Sequence, residues 1–239
     1  MGQGVLTGDR KAFFDNIRSK IKTSPSERAK RVEDPMEGLF TKRGTTVEER
    51  RELRERFIDE WNKLGGGNAF SVKNRTELAQ KIKQVINERG IKKAMRWDHP
   101  ELEKLNLEEI FSDAGAEMLK WPLGENSSAV KYKAASMDCG VVWGEIAMAE
   151  TGTVVITHNA KQPTSVAILP LTFMAICTTA QLVDGLYSVM KELKKRFGTS
   201  LPTTATFITG PSRTTDIEMD LSIGVHGSRY VHVFILDEE

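Results

Sequence analysis

Short apolar runs alternate with amphipathic segments from Asn68 onward, and this alternation limits the possible folds more than any other feature of the sequence. The run at 69–72 has the length of a strand, and the segment from Asn74 to Gly90 carries apolar residues every three or four positions, as a helix does. Repeated strand and helix units favour a largely parallel sheet covered by helices. The sequence therefore predicts an α/β fold with a mostly parallel, mixed sheet flanked by helices.

The same pattern gives the order of the elements. We predict strands at 69–72, 91–97, 117–121, 141–143, 153–157, 165–169, 174–178, 205–209 and 229–236, and helices at 74–90, 100–111, 128–137, 180–197 and from Thr215. The strands at 153–157, 165–169 and 174–178 follow one another too closely for helical crossovers. This part of the sheet should therefore be antiparallel or mixed.

Residues 1–67 form a helical N-terminal extension in this interpretation, and residues 68–239 form the α/β domain. One amphipathic helix is predicted at 9–21. A second begins after Thr46, where Glu49 completes the spacing of a capping box, and it ends at the three glycines 65–67. The apolar stripes of both helices must be buried. We favour packing against the core of the same chain, and docking onto a partner subunit or a second copy in a homodimer is the alternative.

Charge and composition exclude several classes of function. Lys and Arg total 34 against 33 acidic residues, so the net charge of +1 gives no reason to expect a nucleic-acid partner. The sequence has no apolar run that could span a bilayer and no secretory signal at its start, which predicts a cytoplasmic protein without a membrane span. The two cysteines, Cys139 and Cys177, lie in apolar runs and are expected to be buried and inert, and the dispersed histidines predict no metal site.

The most polar stretch of the second half is GPSRTTDIE at 210–218. Gly210 would end a strand. The guanidinium of Arg213 and the hydroxyls of Ser212 and Thr214 could hold a carboxylate or phosphate anion at the start of the helix that follows. The alternative is structural: Thr215 and Glu218 have the spacing of a capping box, and Arg213 would pair with Asp216 or Glu218.

Two further polar stretches carry glycines, AMAETGTVVI at 147–156 and GVHG at 224–227. Glu150 could act as a general base or nucleophile, and Gly152 and Thr153 beside it would let a ligand approach the backbone. Asp216 and His226 are the other candidates for moving a proton. Each residue also has a plain structural role as a turn residue. All three stretches lie at element boundaries, so we expect them to converge on one face.

AETGT, Leu169-Pro170, GPSRTTDIE and GVHG occur in this order, and together they resemble the lactate-utilisation protein C family of LUD-domain proteins. The resemblance covers 68–236. It implies a NagB/RpiA/CoA-transferase-like fold and a part in oxidising L-lactate to pyruvate. The chain would be one subunit beside cysteine-rich and iron–sulfur partner proteins. It would bind no cofactor by itself, and the clusters would belong to those partners.

Two positions depart from the family pattern. Ser228 follows GVHG where the family commonly has proline, and residues 158–168 lack the arginine that often precedes Leu169-Pro170. Arg213 is thus the principal anion-binding candidate, with Arg229 and Lys161 in reserve. The residues leave open whether this chain is itself catalytic. A free-standing enzyme on a phosphosugar or acyl-CoA substrate and a non-catalytic scaffold subunit are the alternative functions.

Overall fold

The computed structural model of the protein describes residues 11, 15, 16, 19, 44, 46–122, 132–200, 202, 204–214 and 222–237. The chain divides into two compact units, Met1–Leu39 and Phe40–Glu239. In the first unit the four described residues are helical, and the rest of the helix predicted at 9–21 lies outside the described residues. All other described residues belong to the second unit.

The second unit alternates helices and strands, as the sequence predicts. Its described helices are α1 (Val47–Lys63), α2 (Arg75–Arg89), α3 (Pro100–Glu103), α4 (Leu107–Asp113), α5 (Thr164–Ile168) and α6 (Leu186–Phe197), with a 3-10 turn at Thr179–Gln181 and helical residues at 132–135. Its described strands are β1 (Ala69–Val72), β2 (Lys93–Arg96), β3 (Glu117–Lys120), β4 (Cys139–Trp143), β5 (Ile146–Met148), β6 (Thr153–Thr157), β7 (Thr172–Thr178), β8 (Leu182–Val183), β9 (Ala205–Ile208), β10 (Arg213–Thr214), β11 (Ser222–Ile223) and β12 (Tyr230–Leu236).

Six strands form a central sheet in the order β1-β12-β7-β4-β2-β3, and every neighbouring pair is parallel. The predicted α/β fold with a mostly parallel sheet flanked by helices is confirmed. Since all six strands run the same way, they begin at one edge of the sheet, the amino edge, and end at the other, the carboxyl edge. Residues that follow one strand are therefore near those that follow its neighbours.

A second sheet of four strands has the order β8-β5-β6-β9. Its β5/β6 and β6/β9 pairs are antiparallel and its β5/β8 pair is parallel, so antiparallel pairing is confirmed for the strand predicted at 153–157. The strand predicted at 174–178 lies instead in β7, which is parallel to both of its neighbours in the central sheet. The strand predicted at 165–169 is wrong, because Thr164–Ile168 forms the short helix α5. Val166 and Ala167 are buried while Ile168 is exposed, a pattern that a five-residue apolar run can satisfy as a helix turn.

Local signals fixed the ends of two long helices. In α1 the Thr46 hydroxyl accepts a hydrogen bond from the Glu49 amide at 3.1 Å, and the Glu49 carboxylate accepts one from the Thr46 amide at 3.1 Å. The predicted capping box is confirmed. Gly90 ends α2 with φ of 63°, in the left-handed region that favours glycine.

Two predicted helices are shorter or divided in the structure. The segment predicted as one helix at 100–111 forms α3 and α4, separated at Asn106, which has a φ of 49°. The helix predicted from Ala180 begins at Leu186, because the 3-10 turn and β8 occupy the residues before it. A helix N-terminal to β4 was predicted at 128–137, and only its part at 132–135 lies within the described residues.

Helix α1 packs into the same hydrophobic core as the central sheet. Leu53, Phe57 and Trp61 are buried, and the rings of the last two stack at a centroid distance of 5.9 Å. Packing against the chain's own core, the interpretation favoured from the sequence, is therefore what α1 does. The compact unit begins at Phe40, before the boundary that the sequence suggested at residue 68.

The contribution of α1 to the core is testable by truncating one side chain. Phe57 is fully buried, so Phe57→Ala should lower the free energy of unfolding by about 3–5 kcal/mol through lost burial and a cavity. Glu55→Ala on the exposed face of the same helix is the matched control and should change it by less than about 0.5 kcal/mol. Denaturant titration measures both. Equal small losses would contradict the packing of α1 in the core.

His232, in the middle of β12, makes the stability depend on pH. Burial lowers the pKa of its imidazole to about 4, below its ordinary value of about 6.5 in an unfolded chain. The unfolded chain therefore binds a proton first, and stability present above pH ~6.5 is lost as the pH falls toward 4. Between pH ~7 and ~4.5, His232→Asn should lose less unfolding free energy than the parent protein. An identical loss in both would contradict the assignment.

Candidate functional site

Three segments meet at the amino edge of the central sheet, because they precede the neighbouring strands β1, β12 and β7. They are the three glycines 65–67, the GVHG stretch at 224–227 and Leu171. The Val231 amide donates to the Gly66 carbonyl at 3.1 Å, and the Arg229 amide donates to the Leu171 carbonyl at 3.0 Å. Parallel pairing thus brings segments together that are far apart in the sequence.

The start of the GPSRTTDIE stretch lies against the end of α1. Gly210 is buried with φ of 78°, and a β-carbon there would lie 3.0 Å from the β-carbon of Leu64. Pro211 lies over Gly66, where a β-carbon would be 2.7 Å from the Pro211 ring. Only glycine leaves room for these approaches.

Ser212 joins this stretch to GVHG. Its amide donates to the Ser228 carbonyl at 3.2 Å, and its carbonyl accepts from the Gly224 amide at 2.9 Å. Its hydroxyl accepts from the His226 amide at 3.3 Å. The predicted convergence of these two stretches is present, and Ser212 is the residue that holds them together.

The AETGT stretch contacts the residue before Gly210 through hydroxyl groups. The Thr153 hydroxyl lies 2.7 Å from that of Thr209 and 2.6 Å from that of Thr151. Gly152 has φ of 58° and lies against the backbone of Trp61, where a β-carbon would be 2.5 Å from the amide nitrogen. The end of α1 therefore contacts both the AETGT and the GPSRTTDIE stretches.

Arg213 and Thr214 do not start a helix. They form β10, which pairs antiparallel with Ile223 and Ser222 of β11. The predicted capping box of Thr215 and Glu218, the helix that it would begin, and the candidate Asp216 lie outside the described residues. The predicted strand before Gly210 is β9, which belongs to the second sheet rather than to the carboxyl edge of the parallel sheet. Within the described residues, Arg213 thus lies in a two-stranded sheet rather than at a carboxyl edge of the central sheet.

The side chain of Arg213 is exposed and lies beside Gly65, and it forms no ion pair with any residue that the structure describes. Arg229, the reserve candidate, borders the same stretches, since its β-carbon lies close to Gly224. The guanidinium groups of Arg229 and Arg89 both lie over the Tyr230 ring, at 5.6 and 4.1 Å from its centroid. This part of the surface is basic and open to solvent.

The two proton-transfer candidates that the structure describes, His226 and Glu150, have different neighbours. His226 is exposed within the cluster. Glu150 is exposed, its amide donates to the Asp184 carbonyl at 2.8 Å, and its carboxylate lies against Gly185 at the start of α6. Asp216 is outside the described residues. Of the two described candidates, His226 is the one that contacts Ser212.

Sequence reasoning missed three contributors to this cluster. The glycines 65–67 were interpreted only as a helix stop, and Thr209 only as a strand end. Ser228 was noted only as a departure from a family pattern. Its buried hydroxyl donates to the Pro170 carbonyl at 2.8 Å, a bond that proline could not make. The run of three glycines was the one signal available in the sequence, since it permits close backbone approach.

The described residues offer little to a metal ion. No group of three or more His, Cys, Asp or Glu side chains among them is placed to hold one. Cys139 and Cys177 are buried free thiols, as predicted, and burial raises the pKa of both, to about 12 for Cys177. In the described part of the chain, no helix combines the length and apolar character needed to cross a bilayer.

Comparison with known proteins places these stretches in one family. The family model of the LUD domain matches residues 54–236, which include α1 from Arg54 onward and all three polar stretches. Lactate utilization protein C 1 of Bacillus mycoides is 30% identical over 173 residues, which are 70% of this chain and 74% of that protein. Lactate utilization protein C of Halalkalibacterium halodurans is 34% identical over 152 residues, which are 63% of this chain and 65% of that protein.

A solved structure shares the fold. A crystal structure of a DUF162 family protein from Deinococcus radiodurans is 18% identical, with a TM-score of 0.52, over 78% of this chain and 98% of that chain. This similarity supports the α/β architecture.

The contact between AETGT and α1 is testable with two glycines of similar backbone conformation. Gly90→Ala should lower the free energy of unfolding by about 1–2 kcal/mol, because φ is 63° but nothing lies within 4 Å. Gly152→Ala, at φ of 58°, should cost about 1–3 kcal/mol more, because its methyl group meets the Trp61 backbone. Denaturant unfolding measures the difference. Equal losses would mean that the loop does not depend on α1.

Proposed function

Because the chain belongs to the lactate utilization protein C family of LUD-domain proteins, we propose that it takes part in the oxidation of L-lactate to pyruvate in the cytoplasm. The observation that carries this proposal is the LUD-domain match over 54–236 together with relatives that bear that name. The glycines 65–67, the AETGT stretch, residues 210–214 and the GVHG stretch together form what we call the amino-edge cluster. All of them lie inside the matched region.

Oxidation of L-lactate to pyruvate releases two electrons and two protons, and the electrons need an acceptor. Clusters of iron and sulfur are held by cysteine thiolates, usually four of them. This chain has two cysteines, and both are buried thiols whose pKa is raised by burial. These residues do not fit a cluster site. We therefore assign electron transfer to iron–sulfur partner proteins, with which this chain acts as a subunit.

Arg213 is the residue proposed to hold the substrate anion. Its guanidinium is exposed, forms no ion pair with a described residue, and can offer a carboxylate two parallel hydrogen bonds. Arg229 on the other side of the cluster adds a second positive charge. Gly210, Ser212 and Thr214 shape the backbone around it, while Gly152 and Thr153 anchor the neighbouring stretch.

His226 is the candidate for accepting the proton of the substrate hydroxyl. It is exposed, and its backbone is fixed by the Ser212 hydroxyl, one residue before Arg213 in the chain. Glu150 is less well supported, because its carboxylate lies at Gly185, next to the second sheet. The contribution of this chain to the chemistry thus rests on anion binding and on one imidazole.

Growth on L-lactate as the sole carbon source tests the role of Arg213. In a strain that lacks the gene for this chain, Arg213→Ala should fail to restore growth, because the substrate anion loses its charged partner. Arg56→Ala removes an exposed arginine from α1 and is the matched control, which should restore growth fully. Thermal unfolding of both purified variants checks that the fold is kept. Normal growth with Arg213→Ala would overturn the anion-binding role.

Co-purification separates a substrate-binding subunit from a scaffold. Arg213→Ala should still co-purify with its partner proteins, since a substrate site is not needed for assembly. Deletion of residues 1–39 removes the first compact unit and leaves the second whole. Growth that survives Arg213→Ala but is lost, together with the partners, on this truncation would favour a scaffold role instead.

A further inference from the structure

A cavity of about 350 Å³ lies at the carboxyl edge of the central sheet. The amino-edge cluster lies at the other end of the seven-residue strand β12, about 20 Å away at the rise of a strand. The cavity is lined by residues from or just after four adjacent strands and from α2, α3 and the turn after α3. They are Lys73, Asn74, Arg75, Glu101, Lys104, Leu105, Trp143, Thr178, Leu236 and Asp237.

Parallel register builds this cavity. Leu236 pairs with Val72 of β1 on one side and with Thr178 of β7 on the other, so the ends of the three strands are level. Trp143 ends β4, the next strand across. In open α/β sheets, the crevice outside the carboxyl ends of the strands is where ligands bind. The volume falls within the range of pockets for small molecules, about 300–1,000 Å³.

The charges around the cavity favour an anion. Both acidic residues of its lining are already paired, Glu101 with Lys104 at 2.6 Å and Asp237 with Arg54. Lys73 is exposed and forms no ion pair with any described residue, and Arg75 makes its described hydrogen bond to the backbone carbonyl of Lys104 at 3.1 Å. Lys73 and Arg75 thus retain a positive charge for a ligand, at the end of the cavity where Asn74 caps α2.

Apolar side chains also line the cavity. Trp143 is 7% exposed, and its indole stacks on the His99 ring at a centroid distance of 5.6 Å and an interplanar angle of 17°. Leu105 and Leu236 add aliphatic surface. This stacking holds the orientation of the indole, so that a flat or weakly polar group of a ligand could lie beside it.

We propose that this carboxyl-edge cavity binds a metabolite that carries one phosphate or carboxylate group, held by Lys73 and Arg75, and a flat body that lies against Trp143. This site goes beyond the proposed function, because it is separate from Arg213 and does not depend on lactate as the substrate. The chain then has two anion sites, one at each edge of the central sheet.

Titration calorimetry with simple probes tests the site on the full chain. Phenyl phosphate and benzoate combine a flat ring with each kind of anion, and phenol lacks the charge. At least one of the two anions should bind, and phenol should not. Tighter binding of phenyl phosphate identifies a phosphate ligand, and tighter binding of benzoate identifies a carboxylate ligand.

Substitutions locate the binding. Lys73→Ala should weaken the better probe about tenfold, the loss expected for one charge-assisted hydrogen bond, and Lys73→Ala with Arg75→Ala should weaken it further. Lys92→Ala removes an exposed lysine before β2 and should leave binding unchanged. Arg213→Ala should leave unchanged the part of the binding that Lys73→Ala weakens. The proposal would be overturned if neither anion bound with a dissociation constant below about 10 mM. It would also be overturned if Lys92→Ala weakened binding of the probe as much as Lys73→Ala does.

The Arg213 site and the carboxyl-edge site can be contradicted independently of each other. Loss of lactate growth with Arg213→Ala, with the Lys73-dependent binding of the ring-bearing anion unchanged, would support both sites. Binding that is lost with Arg213→Ala but kept with Lys73→Ala would place the probe at the amino edge and overturn the carboxyl-edge site. Since Lys73 is exposed, its substitution leaves the core untouched, and thermal unfolding confirms that the variant is folded.

Discussion

The parallel pairing of β12 with β1 and β7 is the interaction on which the rest of the structure depends. Residues Val231–Ile235 are buried and hydrogen-bonded on both sides, so β12 fixes the direction of its neighbours. Because all six strands of the sheet run the same way, the segments before them gather at one edge and the segments after them at the other. The GVHG stretch that contains His226 lies at the amino edge for this reason, and hydrogen bonds to this stretch and to Ser228 hold Ser212 beside it. The cavity beside Trp143 lies at the carboxyl edge for the same reason.

The end of α1 ties the amino-edge cluster to the core. A β-carbon at Gly67 would lie 1.5 Å from the Val231 carbonyl oxygen, and one at Gly152 would lie 2.5 Å from the Trp61 amide nitrogen. These are backbone contacts that leave no room for a side chain. They connect α1 to β12 on one side and to the AETGT stretch on the other. The LUD-domain match includes α1 from residue 54 onward, although α1 precedes the alternating α/β pattern.

Much of the fold could be predicted because its signals are local. The capping box of Thr46 and Glu49, the left-handed Gly90 and the apolar spacing of α2 depend only on nearby residues. The wrong or missing predictions concern segments that are too short to show a clear hydrophobic periodicity. Residues 165–169 have one apolar run that suits a strand or a helix turn, and β5 and β8 have only three and two residues. Burial against β4, which a single sequence does not reveal, decided in favour of α5.

The sequence by itself determined the α/β class, the family, the ends of the long helices, and the residue types of the polar stretches. It also identified Arg213 and His226 as neighbours of one cluster. The tertiary structure decided which edge of the sheet receives them, that Glu150 lies apart at Gly185, and that Lys73 meets Trp143 across a cavity. The physical reason is strand order: β1 pairs with β12 and not with β2, its successor in the chain. Pairing between strands that distant follows from the packing of the whole core, and no local pattern encodes it.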